Sequence, residues 1–332
     1  MQKQFSKIKI FITRDIPAIG IELLHNEGFN VTVWPHDRPV TAEAFISHAK
    51  QSDVVISLSS DKLDANFLNA CNHLQLISQF AAGYDNIDID TATKLGIPVA
   101  NTPNAMSDAT ADIAFGLMIN VSRKMFFMHK KIQKNEWDFF RPKANLGFEL
   151  KNKTLGIFGL GKIGMEMAKR CKGAYNMNII YCNRNRNEDA EKMLDAQFVT
   201  FEELLKQSDV LSVHSVLSEE TKGIFDKHAF AKMKPTAIFI NTARGGIHNE
   251  EDLAIALIEG KICGAGLDVT NPEPMRADNV LLKMENVAIL PHIGSASEEA
   301  RNEMSRLAAY NVIEFYKNNN IPNIVNAEVL KC

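Results

Sequence analysis

Short apolar runs alternate with amphipathic segments along the first part of the chain. Five runs have the length of a buried strand, at residues 8–13, 30–34, 54–58, 76–80 and 97–100. Residues 16–26 and 42–51 have the apolar spacing of helices, for which Asp15 and Thr41 are candidate N-caps. Strands that alternate with helices predict a parallel sheet with helices on both faces.

A second alternation of this kind follows a helical stretch. Residues 107–121 have the pattern of a long apolar helix, a more charged helix pattern covers 125–137, and 139–153 is irregular. Strand patterns then recur at residues 154–158, 178–181, 210–214, 237–240, 264–269 and 287–290. Right-handed crossovers between these strands predict a doubly wound sheet, and a last helix over 297–317 is expected to pack back on the first unit.

A glycine-rich turn links the strand pattern 154–158 to a helix pattern near the middle of the chain. Residues 159–164 read Gly-Leu-Gly-Lys-Ile-Gly. In a dinucleotide-binding turn, Gly159 would allow the tight bend, Gly161 would let the backbone approach the pyrophosphate, and Gly164 would let the helix pack on the strand. The central position of the turn indicates that a nucleotide domain is inserted into another domain.

The composition is that of an ordinary globular protein. The chain has 332 residues, enough for two domains, with a hydrophobic fraction of 45% and a charged fraction of 23%. The formal net charge of −3 provides no basic field for nucleic acid, and no apolar run approaches the roughly 18 residues of a membrane span. Five scattered cysteines without metal-binding spacing indicate reduced thiols in a cytoplasmic protein, and no metal site is expected.

Amides and arginines follow the second strand of the nucleotide domain, where many NAD-binding folds have a carboxylate for the ribose hydroxyls. Asn183 and Arg184 occupy that place, and Arg186 follows closely. A guanidinium can bind a 2′-phosphate with two hydrogen bonds, whereas a carboxylate would repel it. The sequence therefore favours NADP(H) over NAD(H), with NAD(H) as an alternative and an ordinary solvated loop as the structural interpretation.

Three polar segments come at or just after predicted strands, where ligands bind in such sheets. Arg244 stands beside two glycines, Glu273 lies between two prolines, and His292 follows the last strand. Taken singly, each is better explained by a structural role. Together they predict a reductase of 2-keto acids, because reduction of a ketone needs a proton at its oxygen and histidine titrates near working pH. Glu273 would keep His292 protonated, and Arg244 would anchor the carboxylate and polarise the carbonyl.

These segments and the glycine turn resemble the D-isomer-specific 2-hydroxyacid dehydrogenase family over nearly the whole chain. The resemblance implies an α/β protein with two doubly wound parallel-sheet domains, Rossmann-like or flavodoxin-like. A dinucleotide-binding domain at 103–296 would be inserted into a substrate domain made of 1–102 plus 297–332. A region around residues 104–150 would form the contact of a homodimer.

The resemblance also assigns roles to individual residues. Catalysis falls to Arg244, Glu273 and His292. Coenzyme binding is implied for Thr110, Gly159, Gly161, Lys162, Ile163, Gly164, Asn183, Arg184, Arg186, Ala243, Asp268 and Gly294. Substrate binding is implied for Leu58, Ala82, Gly83, Arg244, His292 and Trp137. Ala82 and Gly83 match a loop whose backbone amides hold the substrate carboxylate, and Trp137 is similar to a tryptophan that reaches the neighbouring subunit's active site.

Finer features resemble the glyoxylate/hydroxypyruvate reductase branch of that family. Residues 107–112 read Ser-Asp-Ala-Thr-Ala-Asp, and residues 268–274 and 291–296 are also similar to that branch. One segment departs from the family pattern: residues 214–218 read His-Ser-Val-Leu-Ser, where the family often has His-x-Pro-Leu-Thr. The loss of the proline leaves the coenzyme contacts of that loop unassigned.

The expected function is reduction of small 2-keto acids to D-2-hydroxy acids with NADPH preferred. Glyoxylate and hydroxypyruvate are the leading substrates, with 2-ketogluconate close behind. One alternative is an NAD-dependent D-3-phosphoglycerate or D-lactate dehydrogenase, which the Arg184 loop and the Thr110 segment oppose. Another is a coenzyme-binding corepressor-like protein, because proteins of that class share this fold and an intact set of catalytic residues does not exclude it.

Overall fold

A computed structural model describes residues 5–331 and, within them, twelve strands and twelve α-helices numbered in chain order. The strands are β1 (Lys9–Ile12), β2 (Asn30–Val33), β3 (Val54–Ser57), β4 (Leu76–Gln79), β5 (Val99–Ala100), β6 (Thr154–Phe158), β7 (Asn178–Cys182), β8 (Gln197–Phe198), β9 (Val210–Val213), β10 (Ile238–Asn241), β11 (Gly264–Leu267) and β12 (Val287–Ile289). The helices are α1 (Ala18–Glu27), α2 (Ala42–Ala49), α3 (Ala65–Ala70), α4 (Ile89–Lys94), α5 (Ser107–Arg123), α6 (Met125–Gln133), α7 (Lys162–Tyr175), α8 (Glu188–Leu194), α9 (Phe201–Gln207), α10 (Lys227–Lys232), α11 (Glu250–Ile258) and α12 (Glu298–Asn318). Short 3₁₀ helices cover Gly245–Ile247, Val280–Lys283 and Ala327–Lys331.

The described chain divides into two compact units, and the second interrupts the first in sequence. The first unit contains the residues up to Met106 and those from Ala296 onward, and the second is Ser107–Ser295. The boundaries expected from the sequence lie after residues 102 and 296. Each unit contains one parallel sheet, so the predicted α/β class with parallel sheets is confirmed.

The first unit is built on a five-stranded sheet in the order β2-β1-β3-β4-β5. All its paired strands are parallel, and the order is that of flavodoxin-like folds. Ile10 and Ile12 lie in one buried cluster, whereas Phe11 between them lies in another. Successive strand residues point to opposite faces, so helices cover both faces of this sheet.

Helix α12 returns the end of the chain to the first unit, as predicted, and packs on α1. The Ser305 hydroxyl donates to the Pro17 carbonyl (2.6 Å) and accepts from the Gly20 N–H (3.2 Å). A side chain at Gly20 would collide with Ser305 backbone and hydroxyl atoms. The missing Cβ at Gly20 therefore allows the two helices to approach closely.

The second unit is built on a seven-stranded parallel sheet in the order β12-β11-β10-β9-β6-β7-β8. The first strand, β6, is therefore in the interior of the sheet. Strands β7 and β8 follow on one side of it, and β9 to β12 follow on the other, as in doubly wound nucleotide-binding sheets. Ile238 and Ile240 face one buried cluster, and Phe239 faces the other. The carboxyl ends of β10, β11 and β12 meet at one edge because these neighbours are parallel.

Two predicted helix ends were wrong, and each has a backbone cause. Helix α1 has Pro17 as its N-cap, with no side-chain cap, rather than Asp15. The residue before a proline is pushed out of helical geometry, which excludes Ile16 and leaves Asp15 too far upstream. Helix α6 ends at Gln133 rather than near 137, and Asn135 takes a left-handed conformation (φ 59°) that the helix cannot continue through.

The cysteines of the described residues are free thiols at Cys71, Cys171, Cys182 and Cys263, and Cys332 lies outside those residues. Among residues 5–331, no helix combines the length and apolarity that crossing a membrane requires.

Candidate active site

The glycine turn after β6 is closely packed at two of its glycines and open at the third. Gly159 has φ 95°, and a Cβ there would lie 2.5 Å from the Ser215 nitrogen. A Cβ on Gly164 would lie 2.8 Å from the Gly159 carbonyl oxygen, which shows how closely α7 packs on the turn. A Cβ on Gly161, in contrast, would meet no atom within 4 Å. The open side of the turn is therefore at Gly161.

Helix α7 begins at this open side. Its N-cap is Gly161, no side chain caps its first turn, and its first residues are Lys162 and Ile163. The first backbone N–H groups of a helix lack partners within the helix and favour an anion. The space at Gly161 and these uncapped amides together fit the pyrophosphate of a dinucleotide.

The end of β7 is tied back to the turn. The Asn183 side chain accepts from the Leu160 N–H (2.6 Å) and donates to the Leu160 carbonyl (3.3 Å). An amide, rather than a carboxylate, thus stands at the position that commonly binds the ribose hydroxyls.

The two arginines after Asn183 have different surroundings. Arg186 donates two hydrogen bonds to the carboxylate of Glu191, which also accepts from the Tyr181 hydroxyl (2.6 Å). Arg184 is exposed and forms no hydrogen bond or ion pair with the described part of the chain. Arg184 is therefore the arginine that a phosphate can bind without breaking an existing ion pair.

His292 and Glu273 form a hydrogen-bonded pair. The His292 Nδ1 lies 2.9 Å from Glu273 Oε2, and Glu273 Oε1 accepts from the Thr270 N–H (2.9 Å). The hydrogen bond to Glu273 raises the pKa of His292, against the opposing effects of burial and the Arg244 charge. Burial acts to raise the pKa of Glu273, but its bonds with His292 and Thr270 leave that pKa lowered. The pair therefore favours a protonated imidazole beside a carboxylate.

The loop that carries His292 is held in an unusual conformation. His292 has φ 54°, in the left-handed region that non-glycine residues seldom adopt. Asp268 holds the following backbone, because its carboxylate accepts from the Ile293 N–H (2.8 Å) and the Gly294 N–H (2.7 Å). The Thr110 hydroxyl donates to the Gly294 carbonyl (3.1 Å). Burial raises the pKa of Asp268, while these amide bonds act to lower it.

Arg244 lies near this pair. It follows β10, as Glu273 follows β11 and His292 follows β12. Its guanidinium donates to the Ala243 carbonyl (2.8 Å). Its charge contributes to the lowered pKa of Glu273 and opposes the rise in the pKa of His292. The three predicted catalytic residues are thus brought together at the carboxyl edge of the second unit's sheet, beside Ala243, Asp268 and Gly294.

The predicted substrate residues Leu58, Ala82 and Gly83 belong to the first unit and follow β3 and β4. The Asn86 amide donates to the carbonyls of Leu58 (3.2 Å) and Asp61 (2.7 Å), which ties the loop after β3 to the loop after β4. Gln79 supports this bridge by donating to Asn86 Oδ1 (2.8 Å). Trp137, in the second unit, is 77% exposed after the end of α6.

Several supporting residues were not predicted from the sequence. Gln79 and Asn86 hold the loops of the first unit, and Glu191 holds Arg186. Asn86 stands in the Asp-Asn turn signal before β5, which is a detectable pattern, whereas no local pattern marks Gln79 or Glu191. Among residues 5–331, no group of three or more His, Cys, Asp or Glu side chains is arranged to hold a metal ion.

Comparison with known proteins relates this geometry to a family. Residues 115–294 match the family described as D-isomer specific 2-hydroxyacid dehydrogenase, NAD binding domain. The chain is 43% identical over 328 residues to a glyoxylate reductase of Thermococcus litoralis, and the match covers 98% of each protein.

Two solved structures are similar over nearly the whole chain. A glyoxylate reductase from Paecilomyes thermophila superposes with a TM-score of 0.86 at 33% identity, covering 96% of this chain and 98% of that one. An NADPH-dependent glyoxylate/hydroxypyruvate reductase from Sinorhizobium meliloti, solved with NADP and malonate, gives a TM-score of 0.82 at 29% identity and 98% coverage of both. The chain therefore belongs to the D-isomer specific 2-hydroxyacid dehydrogenase family, in its glyoxylate reductase branch.

Proposed function

We propose that this enzyme reduces small 2-keto acids, with glyoxylate and hydroxypyruvate as leading substrates, to D-2-hydroxy acids with NADPH preferred. The observation that carries the proposal is the hydrogen-bonded pair of His292 and Glu273 with the Arg244 charge beside it. A protonated imidazole next to a guanidinium suits a substrate that has a carboxylate and a ketone. The similarity to glyoxylate reductases supports the same substrate class.

Each catalytic side chain has a defined role. Arg244 binds the substrate carboxylate and polarises the keto oxygen. Glu273 occupies Nδ1 of His292, so the Nε2 proton of the imidazolium is the one donated to the keto oxygen. The reduced coenzyme, when bound, supplies the hydride. Because Glu273 raises the pKa of His292, the proton donor stays charged at higher pH than a free histidine would.

The coenzyme residues follow from the turn and its neighbours. Gly159, Gly161 and Gly164 shape the turn, and Lys162 and Ile163 open the helix whose amides face the pyrophosphate. Arg184 binds the 2′-phosphate, with Asn183 and Arg186 beside it. Thr110, Ala243, Asp268 and Gly294 border the nicotinamide. The NADP complex of the Sinorhizobium meliloti reductase supports this preference.

The substrate loops belong to the first unit. Backbone amides of Ala82 and Gly83 hold the carboxylate, and Leu58 limits the size of the substituent on the keto acid. Trp137 reaches the active site of a second copy. The enzyme works in the cytoplasm as a homodimer.

Exposed apolar side chains in the 125–148 segment support the homodimer. They are Met125, Phe126, Ile132, Trp137, Phe139, Phe140 and Leu146. Exposure of so many large apolar side chains within one segment favours a protein contact, and a two-fold dimer buries the same segment from both copies. Light scattering at assay concentration should give the mass of a dimer, and a monomer there would count against this part of the proposal.

Coenzyme oxidation, followed by absorbance, tests the function. Glyoxylate, hydroxypyruvate, 2-ketogluconate, pyruvate and a phosphorylated hydroxypyruvate are each supplied with NADPH and with NADH. The expected result is turnover of the first two with a higher kcat/KM for NADPH. Equal or better kcat/KM with NADH would refute the coenzyme preference, and no turnover across the panel would favour a coenzyme-binding protein without this activity.

A further inference from the structure

A buried histidine lies just behind the catalytic arginine and has none of the roles described above. His248 follows the 3₁₀ helix Gly245–Ile247 and is 2% exposed. Its ring packs edge-on against Phe239 of β10, with the ring centroids 5.7 Å apart. An apolar residue would suit these surroundings better than an imidazole. The polar atoms of His248 therefore call for an explanation.

The hydrogen bonds of Asn241 determine which nitrogen of His248 carries the proton. Asn241 Oδ1 accepts from the Ala243 N–H (2.9 Å), and Nδ2 donates to the Arg244 carbonyl (2.9 Å). A backbone N–H can only donate and a carbonyl can only accept, so the orientation of this amide is fixed. The second bond of Nδ2, to His248 Nδ1 (3.0 Å), must then also be donated.

His248 is consequently the neutral tautomer with its proton on Nε2. Burial lowers its pKa to about 4, in agreement with an uncharged ring at neutral pH. The buried Nε2 has no hydrogen-bond partner among the described residues, which is an unfavourable arrangement for a donor. Within residues 5–331, Nδ1 is the ring nitrogen that makes a hydrogen bond, and its partner is Asn241.

Asn241 in turn holds the backbone before and after the peptide bond that joins Ala243 to Arg244. It binds the Ala243 N–H and the Arg244 carbonyl, and the Ala243 carbonyl accepts from the Arg244 guanidinium (2.8 Å). A displacement of the Asn241 amide would therefore move both the backbone of Arg244 and the Ala243 carbonyl, one of the groups that the guanidinium contacts.

We propose that His248 is a positioning residue that sets the Arg244 guanidinium through Asn241, and thereby sets the affinity of the enzyme for the carboxylate of 2-keto acids. This inference rests on the proposed role of Arg244 in binding that carboxylate. The Nδ1 lone pair of His248 is the group that acts, because it accepts the second hydrogen bond of Asn241 Nδ2 and so adds a third bond to the two that hold this amide.

Two substitutions at His248 distinguish the effect of the Nδ1 acceptor from the effect of the side-chain volume. His248→Leu fills the apolar site without an acceptor. His248→Asn keeps an acceptor, because Asn Oδ1 stands as many bonds from Cβ as His Nδ1 does. For His248→Leu, KM for glyoxylate should rise about tenfold, the value of one ordinary hydrogen bond, with little change in kcat or in the Kd for NADPH. For His248→Asn, most of the lost affinity should return.

Equal KM values in the Leu and Asn variants would overturn the proposal, as would a matching rise in the Kd for NADPH. Calorimetric binding of oxalate to the NADP-loaded enzyme gives the same comparison without turnover. Failure of the wild type to reduce any 2-keto acid would therefore refute the proposed function while the oxalate series still tests His248. If the Leu variant does not fold, ¹⁵N NMR of the wild type decides, because a proton on Nδ1 of His248 would contradict the hydrogen-bond pattern.

Discussion

The first strand of each unit leaves its sheet in a different way. In the second unit β6 enters a glycine turn that is open at Gly161 and has no side-chain cap on α7. In the first unit β1 continues through Thr13 and Arg14 to Pro17, and the Thr13 hydroxyl bonds the buried carboxylate of Asp61. Both strands hold the same place next to the second strand of a parallel sheet.

Under the proposed function, this difference means that the topology permits a phosphate site without creating one. At the exit of β1 the buried Asp61 carboxylate accepts from the Thr13 hydroxyl and lies 3.7 Å from the Arg14 guanidinium, so these polar groups are already paired with one another. At the end of β6, in contrast, the turn consists largely of glycines, and no side chain caps the first amides of α7. Function is therefore carried by the local residues of each turn, on folds that are otherwise alike.

The largest expected effect comes from the proton donor of the second unit. His292→Ala should lower kcat for glyoxylate by roughly a hundredfold to ten-thousandfold, the usual contribution of a positioned acid, with little change in the Kd for NADPH. The exposed His228 of α10 provides a control, and His228→Ala should leave kcat unchanged. An unchanged kcat in the His292 variant would refute its assignment as the acid.

Substitutions in the glycine turn test the comparison directly. Gly161→Ala adds a Cβ in open space, so it should keep the Tm but weaken NADPH binding at least about tenfold. Gly159→Ala should lower the Tm, because its Cβ would strike the Ser215 backbone at φ 95°. Gly173→Ala, in open space on the same α7, is the matched control and should leave binding unchanged. Normal NADPH binding by Gly161→Ala would mean that the turn does not hold the pyrophosphate.

The exposed arginine after β7 should decide the coenzyme preference. Arg184→Ser should lower kcat/KM with NADPH by about tenfold, the scale of a charged hydrogen bond, and leave kcat/KM with NADH unchanged. Arg186→Ser should have a smaller effect, because that side chain is already paired with Glu191. Paired kinetics with both coenzymes measure the outcome, and equal losses with NADH and NADPH would show that Arg184 does not bind the 2′-phosphate.

The pH profile tests the pairing of Glu273 with His292. Reduction needs a protonated His292, so kcat/KM is high below the pKa of His292 and falls as the pH rises through it. Glu273→Gln removes the hydrogen-bonded carboxylate that raises this pKa, and the Arg244 charge and burial then act to lower it. The falling limb of the profile should therefore move to lower pH, and a limb that stays in place would contradict the proposed role of Glu273.

The smallest effect is expected in the first unit. Asn86→Ala removes the bridge between the loops after β3 and β4, so KM for glyoxylate should rise about threefold to tenfold. The Kd for NADPH should not change, because no glycine turn is altered. Asn69→Ala, on the exposed side of α3, is the control for loss of an asparagine. A change in the Kd for NADPH with no change in KM for glyoxylate would contradict the assignment of these loops to substrate binding.

Most strands were predictable because their apolar runs are continuous, and long helices because their apolar positions recur at helical spacing. The two-residue, exposed strand β8 was not predicted. The strand patterns 54–58 and 154–158 match β3 and β6 to within one residue, and Thr41 caps α2 as expected. Helix ends were less predictable, since Pro17 and the left-handed Asn135 act on the backbone against the side-chain pattern.

The candidate site was predictable in its residue types but not in its supports. The order of residues along the chain shows that Arg244, Glu273 and His292 each follow a strand, and parallel strands bring such residues to one edge. The pairing of Arg186 with Glu191, and of Asn241 with His248, depends on side-chain geometry that no spacing along the sequence encodes.

The contact between α1 and α12 has a consequence for synthesis of the chain. The Gly20 N–H donates to the hydroxyl of Ser305, a residue 285 positions later in the chain. Domains generally fold as they emerge from the ribosome, beginning with the N-terminal residues. The interrupted first unit cannot complete its helical layer until translation has nearly finished, whereas the inserted unit leaves the ribosome whole. When the chain has emerged from the ribosome as far as Ser295, a complete inserted unit is therefore tethered to a first unit that still lacks α12.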